Sequence, residues 1–509
     1  MLDRHSIVHV AVQPNLRAVV AARKKARLVA DDGVTPPVCR LRVVPAIRLE
    51  IVDFHLAAGQ MSAADSQHVF CPVQLELGRF CRLAKCRRVH ERKDGKNWFH
   101  GSDRRIVGLW RGGVNGNALA PGRSGGGYFA PMGEPISVPL LDLSAQNQPL
   151  AADLKDAFAR VLDSSQFILG LEVAGFESLA AESVRTRHAI GVSSGTDALL
   201  LSLMTLGIGP GDEVLCPSFT FFATAGAIAR VGATPVFVDS VDTDFNIDLN
   251  DAERRLTGKT KAIIPVHLFG QPADMDGVQR LAKAHGLAVV EDAAQSMGAT
   301  FGCRQVGTMG ELSAFSFFPS KNLGGFGDGG MITTNDDDLA KRVRVLRVHG
   351  SEPKYYHKVI GGNFRMDPLH AALLRIKLSH FSSYLAKRRA NAAQYLERLA
   401  QCDHVAEGRM VLPTEIVGRS HTWNQFTLRV CNGKRDALQS HLASNNIGSA
   451  IYYPVALHQQ ECFAHVPNFG ESLPVCEQLA GEVLSIPIYP GLTEEQLGHV
   501  ADTLANAPI

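Results

Sequence analysis

The 509 residues contain no apolar run of the roughly 18 residues that a membrane-spanning helix needs. Nor is there an uninterrupted apolar stretch of the signal-peptide kind near the start. Ile7–Val12 (IVHVAV) is broken by His9 and followed by Gln-Pro-Asn. Cysteine is sparse for the length, ten in all, with neither disulfide-scaffold spacing nor a close Cys-x-x-Cys knuckle, so the thiols read as reduced. These absences argue against a membrane protein and a small secreted scaffold, and they set a cytoplasmic location as the expectation. No internal repeat is visible, which excludes a solenoid.

The overall charge of +2 hides a lack of acid at one end and an excess at the other. Residues 1–131 hold 21 Lys+Arg against 10 Asp+Glu, whereas residues 132–509 hold 31 against 40. The basic part patterns poorly. Val19–Ala30 has the makings of a basic helix, and Asn115–Gly127 is rich in Gly, Pro, Asn and Ser, as linkers are. Cys71, Cys81, Cys86 and His90 suggest a zinc site only loosely, since their spacing lacks the usual knuckle, and no metal is expected. No pair of periodic helices flanks a glycine turn, so nucleic acid is not an expected partner either. Residues 1–131 read as a basic extension, disordered or non-catalytic, or as sequence ahead of a mis-set start. Both the charge and the quality of the pattern change at Met132, which reads as the natural start. A chain beginning there is expected to fold and to keep its activity.

From Ile136 onward, strands and helices alternate. Leu154–Leu162 and Glu172–Val184 have helical apolar spacing. Short apolar runs at Ala189–Val192, Glu213–Cys216, Pro235–Asp239, Ala262–Val266, Leu287–Val290 and Met331–Thr334 read as strands. Helices read at Ala223–Val231, Met275–His285 and Asp338–Arg347 between them, and at Pro368–Ser379 and Tyr384–Leu399 after them. This order implies βαβ crossovers and a mainly parallel sheet. A strand at Phe426–Val430 and a helix at Arg435–Asn445 point to a smaller α+β part toward the C-terminus.

The chemistry concentrates between Glu291 and Gly330. The run Leu287–Val290 delivers Glu291 and Asp292 to a strand end, the place where open α/β sheets bind ligands. Lys321 follows, framed by Ser316, Ser320, Asn322 and the glycines 324, 325, 327, 329 and 330. A carboxylate on a strand end and a lysine on a hydroxyl- and glycine-rich loop are what pyridoxal phosphate needs. The lysine forms the Schiff base, and the carboxylate keeps the pyridine nitrogen protonated. Upstream, the strand at Ala189–Val192 runs through Ser193-Ser194-Gly195-Thr196 into a helix, a cradle whose amides converge on a phosphate. The same residues also serve as an ordinary helix cap, and the two uses are compatible.

The stretches EDAAQSMGA (Glu291–Ala299) and SAFSFFPSKNLGGFGDGG (Ser313–Gly330) resemble the DegT/DnrJ/EryC1/StrS family of sugar aminotransferases, over about residues 136–509. The resemblance implies an α/β, type I aspartate aminotransferase-like fold. Its large domain, 132–385, would hold a mainly parallel seven-stranded sheet, and a smaller α+β domain would span 386–509. It implies Lys321 as the catalytic lysine, Asp292 on the ring nitrogen, Gln295 near the ring hydroxyl and Phe221 stacked on the ring. Gly195, Thr196 and Ser316 would bind the phosphate, with Asn363 lent by the neighbouring subunit of a homodimer with shared sites. The family pattern G-x-N-x-R-(M/L) falls on Gly361, Asn363, Arg365 and Met366, and His370 stands where the family most often has Gln.

The resemblance also implies glutamate as amino donor and a nucleotide-linked keto sugar as acceptor, in amino-sugar, polysaccharide or secondary-metabolite biosynthesis. The form K-x-L-G-x-x-G-D-x-G from Lys321 is similar to that of 3-amino-sugar enzymes, which favours a 3-keto over a 4-keto hexose. A lysine rather than a histidine at 321 argues against the family's dehydratases. Tyr356, His357, Tyr453 and His458 are candidate substrate contacts, with ordinary loop packing as the competing use. Two other readings stand beside this one. The first is another type I enzyme, such as a desulfurase using Cys462. The second is a sensor or regulator built on the same fold.

Overall fold

Parallel strands buried on both faces need near-continuous apolar runs, and the strands found here have them. The computed structural model describes residues 136–509. The zinc-like cluster Cys71, Cys81, Cys86 and His90 and the rest of the basic extension lie outside the described residues. Five strands come first: β1 (His188–Val192), β2 (Glu213–Pro217), β3 (Thr234–Val238), β4 (Thr260–Ile263) and β5 (Ala288–Asp292). A short hairpin of β6 (Thr300–Phe301) and β7 (Arg304–Gln305) precedes β8 (Leu312–Ser316) and β9 (Gly330–Thr334).

Seven of these strands form one sheet in the order β1-β9-β8-β5-β4-β2-β3. Pairs from β3 through β8 are parallel, and β9 runs antiparallel to both β8 and β1. The expected sheet is therefore present as a mixed, mostly parallel one. The observed helices Met275–His285 and Pro368–Ser379 have the expected bounds. β8 is an addition, because no strand is read at Leu312–Ser316 from the sequence. Ser-Ala-Phe-Ser carries no β-branched residue, and the strand exists because its two neighbours pair with it.

This topology gathers the carboxyl ends of β1, β5 and β8 and the start of β9 at one edge. The helix Gly195–Leu206 begins there, directly after β1. Ser194 caps it, accepting from the Asp197 amide at 3.0 Å, and Gly207 ends it at a left-handed φ of 76°. Apolar side chains bury on both faces of the sheet. Val290 and Ala314 pack with this helix on one face, and Val289 and Phe315 pack with a separate cluster on the other.

The smaller sheet pairs β10 (Met410–Val411), β12 (Phe426–Val430) and β13 (Val483–Ile486), while β11 (Arg419–Ser420) joins β6. Its core includes Trp423, Phe426, Leu484 and Tyr489. Val138 packs there too, with its N–H donating to Asn446 O at 2.9 Å. The helix Phe381–Leu399 crosses the position 385/386 and serves both cores, Phe381 and Leu385 on one side and Tyr395 and Leu399 on the other. Arg388, fully buried on that helix, donates to the carbonyls of Trp423, Asn424 and Ile488.

β5 ends in two adjacent carboxylates that face opposite sides of the sheet, as successive strand residues must. Glu291 is fully buried and accepts from the amides of Gly307, Met309 and Gly310, from Ser313 Oγ and from His267 Nε2. His267 Nδ1 accepts from the Ala273 amide, so the ring proton sits on Nε2 and points at Glu291. Burial alone would raise the Glu291 pKa. The hydrogen bonds from His267 and the turn amides outweigh it and hold the carboxyl below its ordinary range. Glu291 thus ties the turn before β8 to β5. Replacing it by alanine strands its donors in the core and is expected to cost about 3 kcal/mol or more in urea unfolding. A loss under about 1 kcal/mol would show that the turn holds itself.

Candidate active site

Asp292 is the last residue of β5, and its side chain is buried on the face opposite Glu291. It has fewer partners than its neighbour. Thr224 Oγ1 donates to Oδ2 at 2.8 Å, and the Ala294 amide reaches Oδ1 at 3.2 Å. Burial therefore wins and pushes its pKa up, against the opposing pull of Thr224, Ala294, Lys321 and His267. Lys321 sits partly buried across from it, on the loop between β8 and β9, with its own amide bonded to Phe318 O. Desolvation lowers the lysine to about 8, and the Asp292 charge acts the other way. An amine with such a pKa has a substantial neutral fraction near neutrality, which a nucleophile or proton carrier needs.

The anion cradle closes the other end. Gly195 lies so close to Ser316 that a Cβ on it would be 2.7 Å from the Ser316 Cβ. A Cβ on Gly330 would lie 2.4 Å from the Ser194 carbonyl group. Both glycines are therefore required for the helix N-terminus, with Thr196 in its first turn, to meet the end of β8. Ser316 is the last residue of that strand, and the Phe318 amide reaches its Oγ at 3.3 Å. Ser193 Oγ donates to Asp197, which orders the approach to the helix.

Gln295 and Tyr453 form the floor beside Asp292. The Gln295 amide oxygen accepts from Phe269 N–H at 2.6 Å, and its nitrogen meets Tyr453 Oη at 3.3 Å. Burial raises the Tyr453 pKa, and Asp292 nearby adds to the rise. Phe221 is 55% exposed, with its ring 6.1 Å from that of Tyr453. Asn322, next to Lys321, is buried and donates to Thr422 O, which ties the lysine loop to the C-terminal part.

Other expected residues lie apart from this cluster. His458 is 0% exposed and does not face the site. Its Nδ1 meets Ser218 Oγ at 2.7 Å and its Nε2 meets Glu477 at 3.2 Å, so both ring nitrogens are taken and the substrate role expected for it is corrected to packing. Tyr356 and His357 are exposed on the loop after Ser351, where His357 Nδ1 bonds His349 O. Asn363 is exposed on a segment running beside β1, where Phe364 O accepts from Ser193 N.

Thr224 is the residue that sequence reasoning missed. A hydroxyl in the first turn of the small-residue helix Ala223–Arg230, three positions after Phe221, was the available sign.

The arrangement fits pyridoxal phosphate. A buried carboxylate with acceptor capacity to spare suits a protonated ring nitrogen, a desolvated amine suits an aldehyde, and a glycine-lined helix N-terminus suits a phosphate. Gly195, Thr196 and Ser316 would hold the phosphate, Asp292 the ring nitrogen and Lys321 the aldehyde carbon. Among the described residues no helix is long and apolar enough to cross a membrane.

Residues 149–505 match the DegT/DnrJ/EryC1/StrS aminotransferase family. The chain is 48% identical to the pleiotropic regulatory protein of Geobacillus stearothermophilus, over 73% of this chain and 98% of that one. It is 44% identical to the UDP-N-acetyl-3-dehydro-alpha-D-glucosamine 3-aminotransferase of Acidithiobacillus ferrooxidans, again over 73% and 98%. Among solved structures it is similar to S. venezuelae DesV in complex with a ketimine intermediate. That match has a TM-score of 0.69 and 44% identity, and covers 72% of this chain and 98% of that one.

The lysine pKa sets a pH dependence. The rate at which the cofactor-free protein captures added pyridoxal phosphate, followed by absorbance, is expected to rise with pH and level off above about 8. Asp292→Asn removes the charge that holds the ammonium, so the bend is expected at lower pH. A rate independent of pH would contradict the assignment.

Proposed function

The chain belongs to the DegT/DnrJ/EryC1/StrS aminotransferase family, and on that premise we propose that it moves an amino group from glutamate to a nucleotide-linked keto hexose. The observation that carries this reading is the facing pair of Lys321 and Asp292 beside the glycine-lined helix N-terminus. Bound there, pyridoxal phosphate supplies an aldehyde that takes up amines and a ring that accepts an electron pair. The protein supplies the rest. Asp292, held by Thr224, keeps the ring nitrogen protonated. Lys321 carries a proton between the substrate carbon and the cofactor as base and then as acid, a task for which its lowered pKa is suited. Phe221 would cover one face of the bound ring, and Gln295 with Tyr453 would meet its polar edge.

The acceptor is a 3-keto rather than a 4-keto hexose. This rests on the form of the loop after Lys321 and on the similarity to the Acidithiobacillus protein named for a 3-dehydro sugar. Tyr356, His357 and Tyr453 are the proposed sugar and nucleotide contacts.

The working form is a homodimer in which Asn363 serves the partner's phosphate site. Phe158 and Leu162 on the helix Ala151–Ser164, Phe167 and Ile168 in the connection after it, and Leu171 at the start of the helix Leu171–Val184 are exposed large apolar residues, of the kind that mark an interface. The similarity to a protein named as a regulator favours a second reading, a sensor that binds the cofactor without turnover.

One experiment separates these readings. With glutamate and each isomeric keto sugar, 2-oxoglutarate release and NMR of the product are expected to show amination at carbon 3, and Lys321→Ala is expected to abolish it. Amination confined to carbon 4 would overturn the positional claim. Transfer to simple 2-oxo acids alone would overturn the sugar reading, and no turnover with the cofactor bound would favour the sensor.

A further inference from the structure

The loop that carries Lys321 is closed at its neck by two hydrogen bonds. Phe317 N–H donates to Gly329 O at 2.8 Å, and Gly325 N–H donates to Phe317 O at 2.7 Å. Beneath the closed loop lies the ring of His370, from the first turn of the helix Pro368–Ser379. A Cβ on Gly325 would sit 2.1 Å from His370 Nε2, and one on Gly329 would sit 2.8 Å from the same atom. Both glycines thus pack closely against one imidazole, around its Nε2. His370 is 6% exposed, and its Nε2 has no hydrogen-bond partner among the described residues. Such an atom in a packed core calls for an explanation.

We propose that His370 is a positioning residue, the prop that sets the height of the glycine loop and through it the placement of Lys321 over the cofactor. The inference rests on the pyridoxal phosphate reading. Seven residues on, and so on the same helix face, Lys377 is 1% exposed, with its ammonium 5.2 Å from the ring centroid of Phe326 at the loop tip. The loop therefore rests on two basic side chains of one helix.

The prop works only while the imidazole is neutral. Burial, the largest influence, lowers the His370 pKa, Asp367 and Asp328 raise it, and Lys377 lowers it. The other charges of the surrounding elements are engaged elsewhere. Arg160 and Arg375 pair with Glu172, Arg347 pairs with Glu177, and Lys321 faces Asp292. A second proton on the imidazole would put a second cation beside Lys377, against which Asp367 and Asp328 pull the other way. Because the folded pKa lies below the unfolded one, His370 stabilises the loop above its ordinary titration range. That stabilisation is lost as pH falls through the folded value.

The test measures pyridoxal phosphate affinity of the full chain by absorbance, from about pH 5.5 to about pH 8, with thermal unfolding of the cofactor-free protein in parallel. His370→Ala is expected to weaken binding about tenfold at the upper pH, and His370→Gln to restore it by filling the same space. Wild type is expected to lose affinity and thermal stability toward acid, and the glutamine variant to lose the His370 share of both. Lys377→Met removes the neighbouring cation and so raises the folded pKa, so the loss of affinity is expected to begin at higher pH and the acid loss of thermal stability to shrink.

An alanine variant that binds as wild type would overturn the proposal. So would a glutamine variant with an unchanged acid limb in both readouts. If the alanine variant does not fold, the glutamine and methionine curves decide alone. Wild type that binds no pyridoxal phosphate at any pH would overturn this proposal together with the cofactor reading, whereas binding with unshifted limbs overturns only the prop.

Discussion

The structure depends on two opposite charges brought together where water is scarce, the Lys321 ammonium and the Asp292 carboxylate. Each is pushed toward neutrality by burial, and each opposes that push in the other. The resulting amine is partly neutral and the resulting carboxylate is short of donors, so both are ready for a third party. A cofactor with a basic ring nitrogen at one end and an aldehyde at the opposite end of the ring satisfies both. The sheet exists, in functional terms, to hold these groups and an anion cradle at one edge.

Glu291 and Asp292 show how the same residue type takes opposite roles one position apart. Strand alternation sends Glu291 into a pocket of amide, hydroxyl and imidazole donors that keep it charged. It sends Asp292 to the other face, where Thr224 and Ala294 are its only hydrogen-bond donors among the described residues. The first carboxylate builds the scaffold, and the second is left available for chemistry. This division explains why the pair stands at a strand end: one residue fixes the turn into β8 while its neighbour projects into the site.

Much of this was legible in the sequence. Apolar runs and helical spacing placed six of the seven strands of the main sheet and most of the helices between them to within a few residues, because burial on both faces leaves a strong pattern; the short helix Leu249–Arg254 was not read. Lys321 stood out because serines and glycines around a lysine make no sense on an amphipathic helix. β8 was not legible, since its pairing comes from neighbours rather than from its own residues. Thr224 was hidden because one hydroxyl in a run of alanines carries no pattern, and its partner lies 68 positions away. His458 misled for the converse reason. A histidine among tyrosines reads as a contact residue, and only the fold reveals Ser218 and Glu477 on its two nitrogens. The departure at His370 was visible as a letter, but its meaning needed the two glycines that rest on it.

The central claim is that Lys321, and no other lysine, holds the cofactor. Lys377 makes the test a demanding one, because burial lowers it to about 8 as well, without a carboxylate opposite. Borohydride reduction of the protein loaded with pyridoxal phosphate, followed by peptide mapping, decides between them. The account expects the label on the peptide containing Lys321, with one cofactor per chain. Label on Lys377 or on a third lysine, with Lys321 unmodified, would contradict it.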